Sequence, residues 1–154
     1  MVTVPPAPLV FSLSGWYKIN MKAINLKVLV ALTLLAASCA GGPVNVPYDL
    51  GPMEIIQLAQ EASDRNRYST SLQYYEIILE RFPHDIDSVC AAEYEIAFIH
   101  YKQRRFDAAR DGFHNLLLRY DHPDGELLPQ QFRILSNIVL QRMDEMETFR
   151  RGRG

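Results

Sequence analysis

Residues 68–82, YSTSLQYYEIILERF, and residues 106–120, FDAARDGFHNLLLRY, are two versions of one segment, 38 positions apart. At that offset Tyr68 meets Phe106, Ser71 meets Ala109, Tyr75 meets Phe113, Ile78 meets Leu116, Leu79 meets Leu117 and Phe82 meets Tyr120. The match continues outside the segment, where Leu58 meets Ile96, Ala59 meets Ala97 and His84 meets His122. Aromatic falls on aromatic, aliphatic on aliphatic and small on small. A repeat of this length is one supersecondary unit that buries its apolar face against a neighbouring copy.

From Pro52 onward the apolar spacing is helical rather than alternating. The first helix starts at Pro52 after Gly51, a favoured first position for proline, and carries Ile55, Ile56, Leu58, Ala59 and Ala62 on its apolar side. Asp64-Arg65-Asn66-Arg67 reads as a polar turn. A second helix is expected from Ser69, a capable cap, to Phe82, where Pro83 stops it. The third runs from about Asp87, with Asp85, Asp87 and Ser88 all able to cap it, to Gln103. The fourth runs from Asp107 to Tyr120 and is broken by Asp121-His122-Pro123-Asp124-Gly125. A fifth carries Leu128, Phe132, Leu135, Val139 and Met143 on one face and is expected to end near Met146, leaving 147–154 as a flexible tail. The expected fold is all-α, about five helices in hairpins over residues 52–146.

The amino-terminal third has a different character. Residues 1–38 hold three of the 16 basic residues and none of the 18 acidic ones, so 39–154 carries a net charge of −5. An acidic domain has no field to neutralise phosphates, and no nucleic-acid partner is expected. Residues 21–39, MKAINLKVLVALTLLAASC, combine a positive flank (Lys22, Lys27), an apolar run from Val28 to Ala37 and the small residues Ala36, Ala37 and Ser38 ahead of Cys39. That run is about half of the roughly 20 residues a spanning helix needs. The layout is that of a secretory signal over 21–38, cleaved after Ser38. Residues 1–20, broken by Pro5, Pro6 and Pro8, do not belong to it, and Met21-Lys22 is the better start. Between Cys39 and Gly51 the chain is rich in Gly, Pro and Asn and reads as a tether, with a reach on the order of 35 Å when extended.

Two family resemblances follow from these residues. Leu35-Ala36-Ala37-Ser38-Cys39 resembles the bacterial lipobox, although Ala36 stands where that family favours leucine. The resemblance implies that Cys39 accepts a diacylglyceryl group and, after cleavage, a further acyl chain, which together anchor a protein stably. Ala40 stands where an enteric inner-membrane retention signal would carry Asp, which favours the outer membrane, facing the periplasm. The hairpins resemble the tetratricopeptide repeat. Ala59, Tyr68, Ser71, Tyr75 and Pro83 fill its pattern once and Ala97, Phe106, Ala109 and Phe113 fill it again. The 38-residue period and Asp121 in place of a closing proline depart from it.

Lipobox, tether and repeats together resemble the BamD-like lipoproteins of outer-membrane β-barrel assembly, which are longer. Pilus lipoproteins that escort a secretin and coordinators of envelope constriction share the style. The resemblance implies a membrane-bound scaffold whose partners are other envelope proteins or peptides. A structural lipoprotein that oligomerises through the fifth helix is the alternative.

The residue patterns point away from catalysis. The chain has no Gly-rich phosphate loop, CxxC, HExxH or GxSxG, so no enzyme, cofactor, metal or small-molecule substrate is expected. With Cys39 modified, Cys90 has no partner and reads as a small apolar helix residue. His84-Asp85-Ile86-Asp87 and Asp121-His122-Pro123-Asp124 occupy equivalent corners and are explained by turns and caps. His100 is expected to be a satisfied polar residue. The candidate partner groove is Ile56 and Gln60 on the first helix with Ala91, Tyr94, Phe98 and Tyr101 on the third. Two readings of this face stay open: a groove that docks a peptide, or a surface that the fifth helix covers as core.

Overall fold

The computed structural model describes residues 42–153. The signal segment 21–38, Ser38 and Cys39 lie outside the described residues. Those described are all-α, with five helices and no strand among them: α1 (Pro52–Asp64), α2 (Tyr68–Arg81), α3 (Ile86–Lys102), α4 (Phe106–Tyr120) and α5 (Gln130–Arg151). No helix among them is long and apolar enough to cross a membrane. The helices α1 and α2 form one hairpin and α3 and α4 a second. The two stack through α2 and α3, and α5 lies against α4 and α3.

The 38-residue repeat is present in the backbone as well as in the sequence. The two hairpin turns carry the same device. Asn66 and Arg104 both take left-handed conformations, at φ 57° and 61°. In the first turn the amides of Asn66 and Arg67 donate to the carbonyls of Ser63 and Ala62; in the second, those of Arg104 and Arg105 donate to Tyr101 and His100. This is a Schellman closure, which satisfies carbonyls that a helix end leaves free. The residue after each left-handed position, Arg67 or Arg105, then serves as the N-cap of the next helix with φ near −85°. Ser69, expected to cap α2, lies inside it instead; the turn geometry makes Tyr68 the first helical residue, and no side chain caps this helix. At α3 the cap is Asp85, whose carboxylate accepts from the backbone N–H and the hydroxyl of Ser88.

Burial follows the repeat too. Ala59 and Ala97, Ser71 and Ala109, Tyr75 and Phe113 are each fully buried pairs at the offset of 38, and Ile78 and Leu116 are nearly so. Small residues at 59, 71, 97 and 109 let helix backbones approach. Ser71 uses that proximity to donate to the Ala59 carbonyl at 2.7 Å. Gly112 lies so close to Ala97 that a Cβ on it would stand 2.8 Å from the alanine methyl.

Two boundaries differ from the sequence expectation. First, α5 continues to Arg151, past the expected end at Met146, so most of 147–154 is helix rather than flexible tail. Second, the segment expected as a free tether is a docked strap from Val44 onward. The Val44 amide donates to Gln73 Oε1 at 3.0 Å, Val46 is 4% exposed, and Arg81 donates to the carbonyls of Val46 and Pro47 at 2.9 and 3.1 Å. The Arg81 guanidinium also lies over the Tyr48 ring, 4.5 Å from its centroid. While the strap is docked, these residues add nothing to the reach of a tether. Arg81→Ala removes two charge-assisted hydrogen bonds and is expected to speed hydrogen exchange at the Val44 amide by about tenfold. Unchanged exchange there, measured by NMR, would show that burial of Val46 alone holds the strap.

Candidate functional site

The aromatic residues of α3 form a ladder along one helix face. Tyr94, Phe98 and Tyr101 follow each other at spacings of four and three, so they share a face. The Tyr94 and Phe98 rings stack at 5.8 Å with 14° between planes, and Phe98 and Tyr101 at 5.8 Å with 19°. Phe106 at the start of α4 extends the row, 6.0 Å from Tyr101. At the other end Tyr94 is enclosed by Phe113 of α4 and Phe132 of α5, each 5.7 Å away.

That enclosure corrects the expected groove. Tyr94 is 7% exposed and Ile56 9%; both are core. Five of the six candidate residues also fall into two apolar clusters. Ile56 and Ala91 pack with the strap, α1 and α2, whereas Tyr94, Phe98 and Tyr101 pack with α4 and α5. Gln60 is exposed, and Ala91, Phe98 and Tyr101 are half-buried. Phe132 is the physical reason for the correction. It stands 38 residues after Tyr94, at the same position in a third copy of the repeat, and α5 lays it across the Tyr94 ring.

What stays accessible is the carboxyl-terminal half of the ladder, joined by residues the sequence reading missed. Lys102 places its ammonium 5.3 Å from the Phe98 centroid and 5.4 Å from that of Tyr68 on α2, and donates to Ser63 Oγ on α1. The Tyr68 hydroxyl donates to Asn66 Oδ1 at 2.8 Å. The result is a small amphipathic face at one end of the hairpins: the half-buried rings of Phe98 and Tyr101, the ring of Tyr68, and a cation held against the π-faces of Phe98 and Tyr68. The signal for Tyr68 lay in its pairing with Phe106. Lys102 had no signal, because two of its partners, Ser63 and Tyr68, come from α1 and α2.

Other polar groups of α3 are tuned by burial. Burial pushes the Glu95 carboxyl above its usual range, with Lys102 pulling in the opposite direction. It holds His100 below the ordinary histidine range, and Arg105 adds to this, so the imidazole is neutral near pH 7. His100 Nδ1 is buried with no hydrogen-bond partner among the described residues, in contrast to the satisfied histidine expected. Burial also raises the Cys90 thiol, which is 1% exposed, so Cys90 is unreactive packing. Across α3 and α4, Glu93 receives a bidentate pair from Arg119 at 2.6 and 2.8 Å. Among the described residues no three His, Cys, Asp or Glu side chains gather as metal ligands would.

Fold and face together define a helical-hairpin repeat domain with an aromatic and cationic surface at one end. Over 108 residues the chain is 31% identical to an uncharacterized protein of Treponema pallidum (strain Nichols). The match takes in 69% of this chain and 43% of that protein, so the chain spans less than half the length of that relative. No family model matches the chain, and no solved structure matches it.

Proposed function

We propose that this chain is a lipid-anchored scaffold of the bacterial cell envelope, a tetratricopeptide-like domain that holds other proteins and performs no chemistry of its own. The observation that carries the reading is the repeat, identical in period in sequence, turn geometry and burial, with a partly open aromatic face beside Lys102. Stacked hairpins of this kind are built to present such a surface. An extended peptide or helix with an apolar side chain for Phe98 and Tyr101 and a carboxylate for Lys102 matches its chemistry. The lipobox-like run ending at Cys39 supports attachment to a membrane, and attachment raises the effective concentration of the domain near membrane-bound partners. The bacterial source of the relative supports the setting. A place in the outer membrane facing the periplasm, as in the BamD-like assembly lipoproteins, is the specific form we propose, supported by Ala40 after the cysteine and by the repeat.

The test has two arms. In a bacterial host, the chain with Cys39 intact is expected to incorporate labelled palmitate and fractionate with membranes. Cys39→Ser is expected to lose the label completely and appear in the soluble fraction. Label-free wild-type protein would end the lipid half of the proposal. In the second arm, Phe98→Ala with Tyr101→Ala is expected to abolish capture of envelope partners cross-linked to the anchored chain while helical content is retained. Capture unchanged in that variant would remove this face from the mechanism.

A further inference from the structure

The helix α5 occupies the place of the first helix of a third hairpin. Its Phe132 and Leu135 stand 38 residues after Tyr94 and Ala97. In the two complete hairpins the position of Ala59 and Ala97 is fully buried, because the second helix of the same hairpin lies on it. In α5 that position is open. Leu135 is 39% exposed, and its neighbours Ile134 and Ile138 are 60% and 48% exposed. Further along the same side Phe149 is 65% exposed. At 100° per residue, Ile134, Ile138, Glu145 and Phe149 fall within a stripe about 60° wide, on the side of the helix away from the buried Ser136, Val139 and Met143. Arg142 flanks the stripe.

We propose that this stripe is a self-association surface, occupied by α5 of a second copy running antiparallel. The order of residues along the stripe selects that occupant and that direction. Turned end for end about a point between Met143 and Asp144, the part of the helix from Ile138 to Phe149 maps onto itself. Ile138 then meets Phe149 of the second copy, and Arg142 meets Glu145, and by the two-fold each pair occurs twice. A parallel arrangement would set Arg142 on Arg142 and Glu145 on Glu145, placing like charges against each other. Arg142 makes no ion pair among the described residues, unlike Arg110, which is bonded to Asp144 at 2.7 Å on the domain side of the same helix. Glu145 accepts a single side-chain hydrogen bond, from Gln141 at 3.0 Å. Both charges are thus free to face a partner. An isologous contact of this kind closes on itself and leaves the ladder end of the hairpins available, so the inference does not depend on how that end is used.

The experiment uses the full chain with Cys39→Ser in mild detergent, followed by sedimentation equilibrium. The parent is expected to dimerise. Arg142→Glu and Glu145→Arg are each expected to weaken self-association by at least about tenfold, since each creates two like-charge pairs. Mixing the two variants is expected to restore a heterodimer. One chain then carries acidic side chains at both positions and the other basic side chains at both, so every facing pair is again of opposite sign. Both sites are exposed, and circular dichroism checks that the helices remain. A parent that stays monomeric, dimerisation indifferent to both reversals, or a mixture that fails to recover would each overturn the proposal. Binding of an unrelated helix to this face by a monomeric parent would overturn it as well.

Discussion

Replacing Phe113 by alanine is expected to remove about 3–5 kcal/mol of stability, the range for emptying a buried phenylalanine site. Phe113 is fully buried at the centre of the second hairpin, against Tyr94, Ala97, Leu116 and the inner residues of α5. The hole it leaves has little means of closing. Gly112 and Ala97 already bring α4 and α3 into contact, so those helices cannot move together to fill it. Small domains have about 5–15 kcal/mol in total, so the loss is a large fraction of what this one has. In urea the midpoint should fall with little change in slope. A loss below about 2 kcal/mol would show that α5 collapses into the space, and would weaken the view that ring volume at this position holds the hairpins in register. The repeat supplies an internal control. Tyr75 fills the equivalent site of the first hairpin, fully buried, with its hydroxyl unbonded among the described residues and its ionisation pushed far up by burial, then by Glu95. Tyr75→Phe gives the first hairpin the side chain of the second. It is expected to leave stability unchanged or raise it by about 1 kcal/mol, because it removes a buried polar group without opening a cavity.

The number and order of helices are legible in the sequence because turns and apolar period both report them. Pro52, Pro83 and the Asp121–Gly125 run mark ends that the structure places within a residue or two. The repeat is legible because stacking imposes the same volume at the same position in each hairpin. What is hidden depends on distant partners. The strap is held by Arg81 and Gln73 across sequence separations of 35 and 29 residues, and a Gly/Pro/Asn composition looks the same docked or free. The end of α5 is hidden for another reason. The core-facing row stops near Met146, but the helix is carried on by exposed residues, with Arg151 bonded to Glu147 one turn back at 3.0 Å, and is closed only at Gly152. Helical spacing alone identifies the ladder as one face. Whether that face is open depends on Phe132, 38 residues away from Tyr94, and on the corner that aims α5.

That corner gives the second large effect. Gly125→Ala is expected to destabilise the domain by about 3 kcal/mol and to release α5 selectively, a change far beyond the usual effect of one methyl group. Gly125 is not in a left-handed conformation, so its role is space rather than backbone freedom. A Cβ there would run into the carbonyl oxygen and carbon of Tyr120, and those backbone atoms have no rotamer with which to yield. Nor can the corner widen easily, because it is tied on both sides. The Gly125 amide donates to the His122 carbonyl at 2.8 Å, and Gln130 donates to the carbonyls of Gly125 and Leu128, both at 2.9 Å. The Tyr120 hydroxyl donates to the Pro129 carbonyl at 2.8 Å, which pins the start of α5 to the end of α4. An added methyl must break part of this set, and α5 is what moves, because α1 to α4 remain joined as hairpins. Hydrogen exchange should show protection falling across α5 while α1 and α2 keep theirs. With α5 released, Tyr94 loses the cover of Phe132, and self-association through Ile138 and Phe149 should be lost in parallel. Gly152→Ala is the control: the nearest atoms to a Cβ there are 3.6 Å away, and the substitution should leave exchange across α5 unchanged. Uniform loss of protection in Gly125→Ala, with α1 opening together with α5, would mean that the domain unfolds as one unit and that this corner does not act as a separate latch.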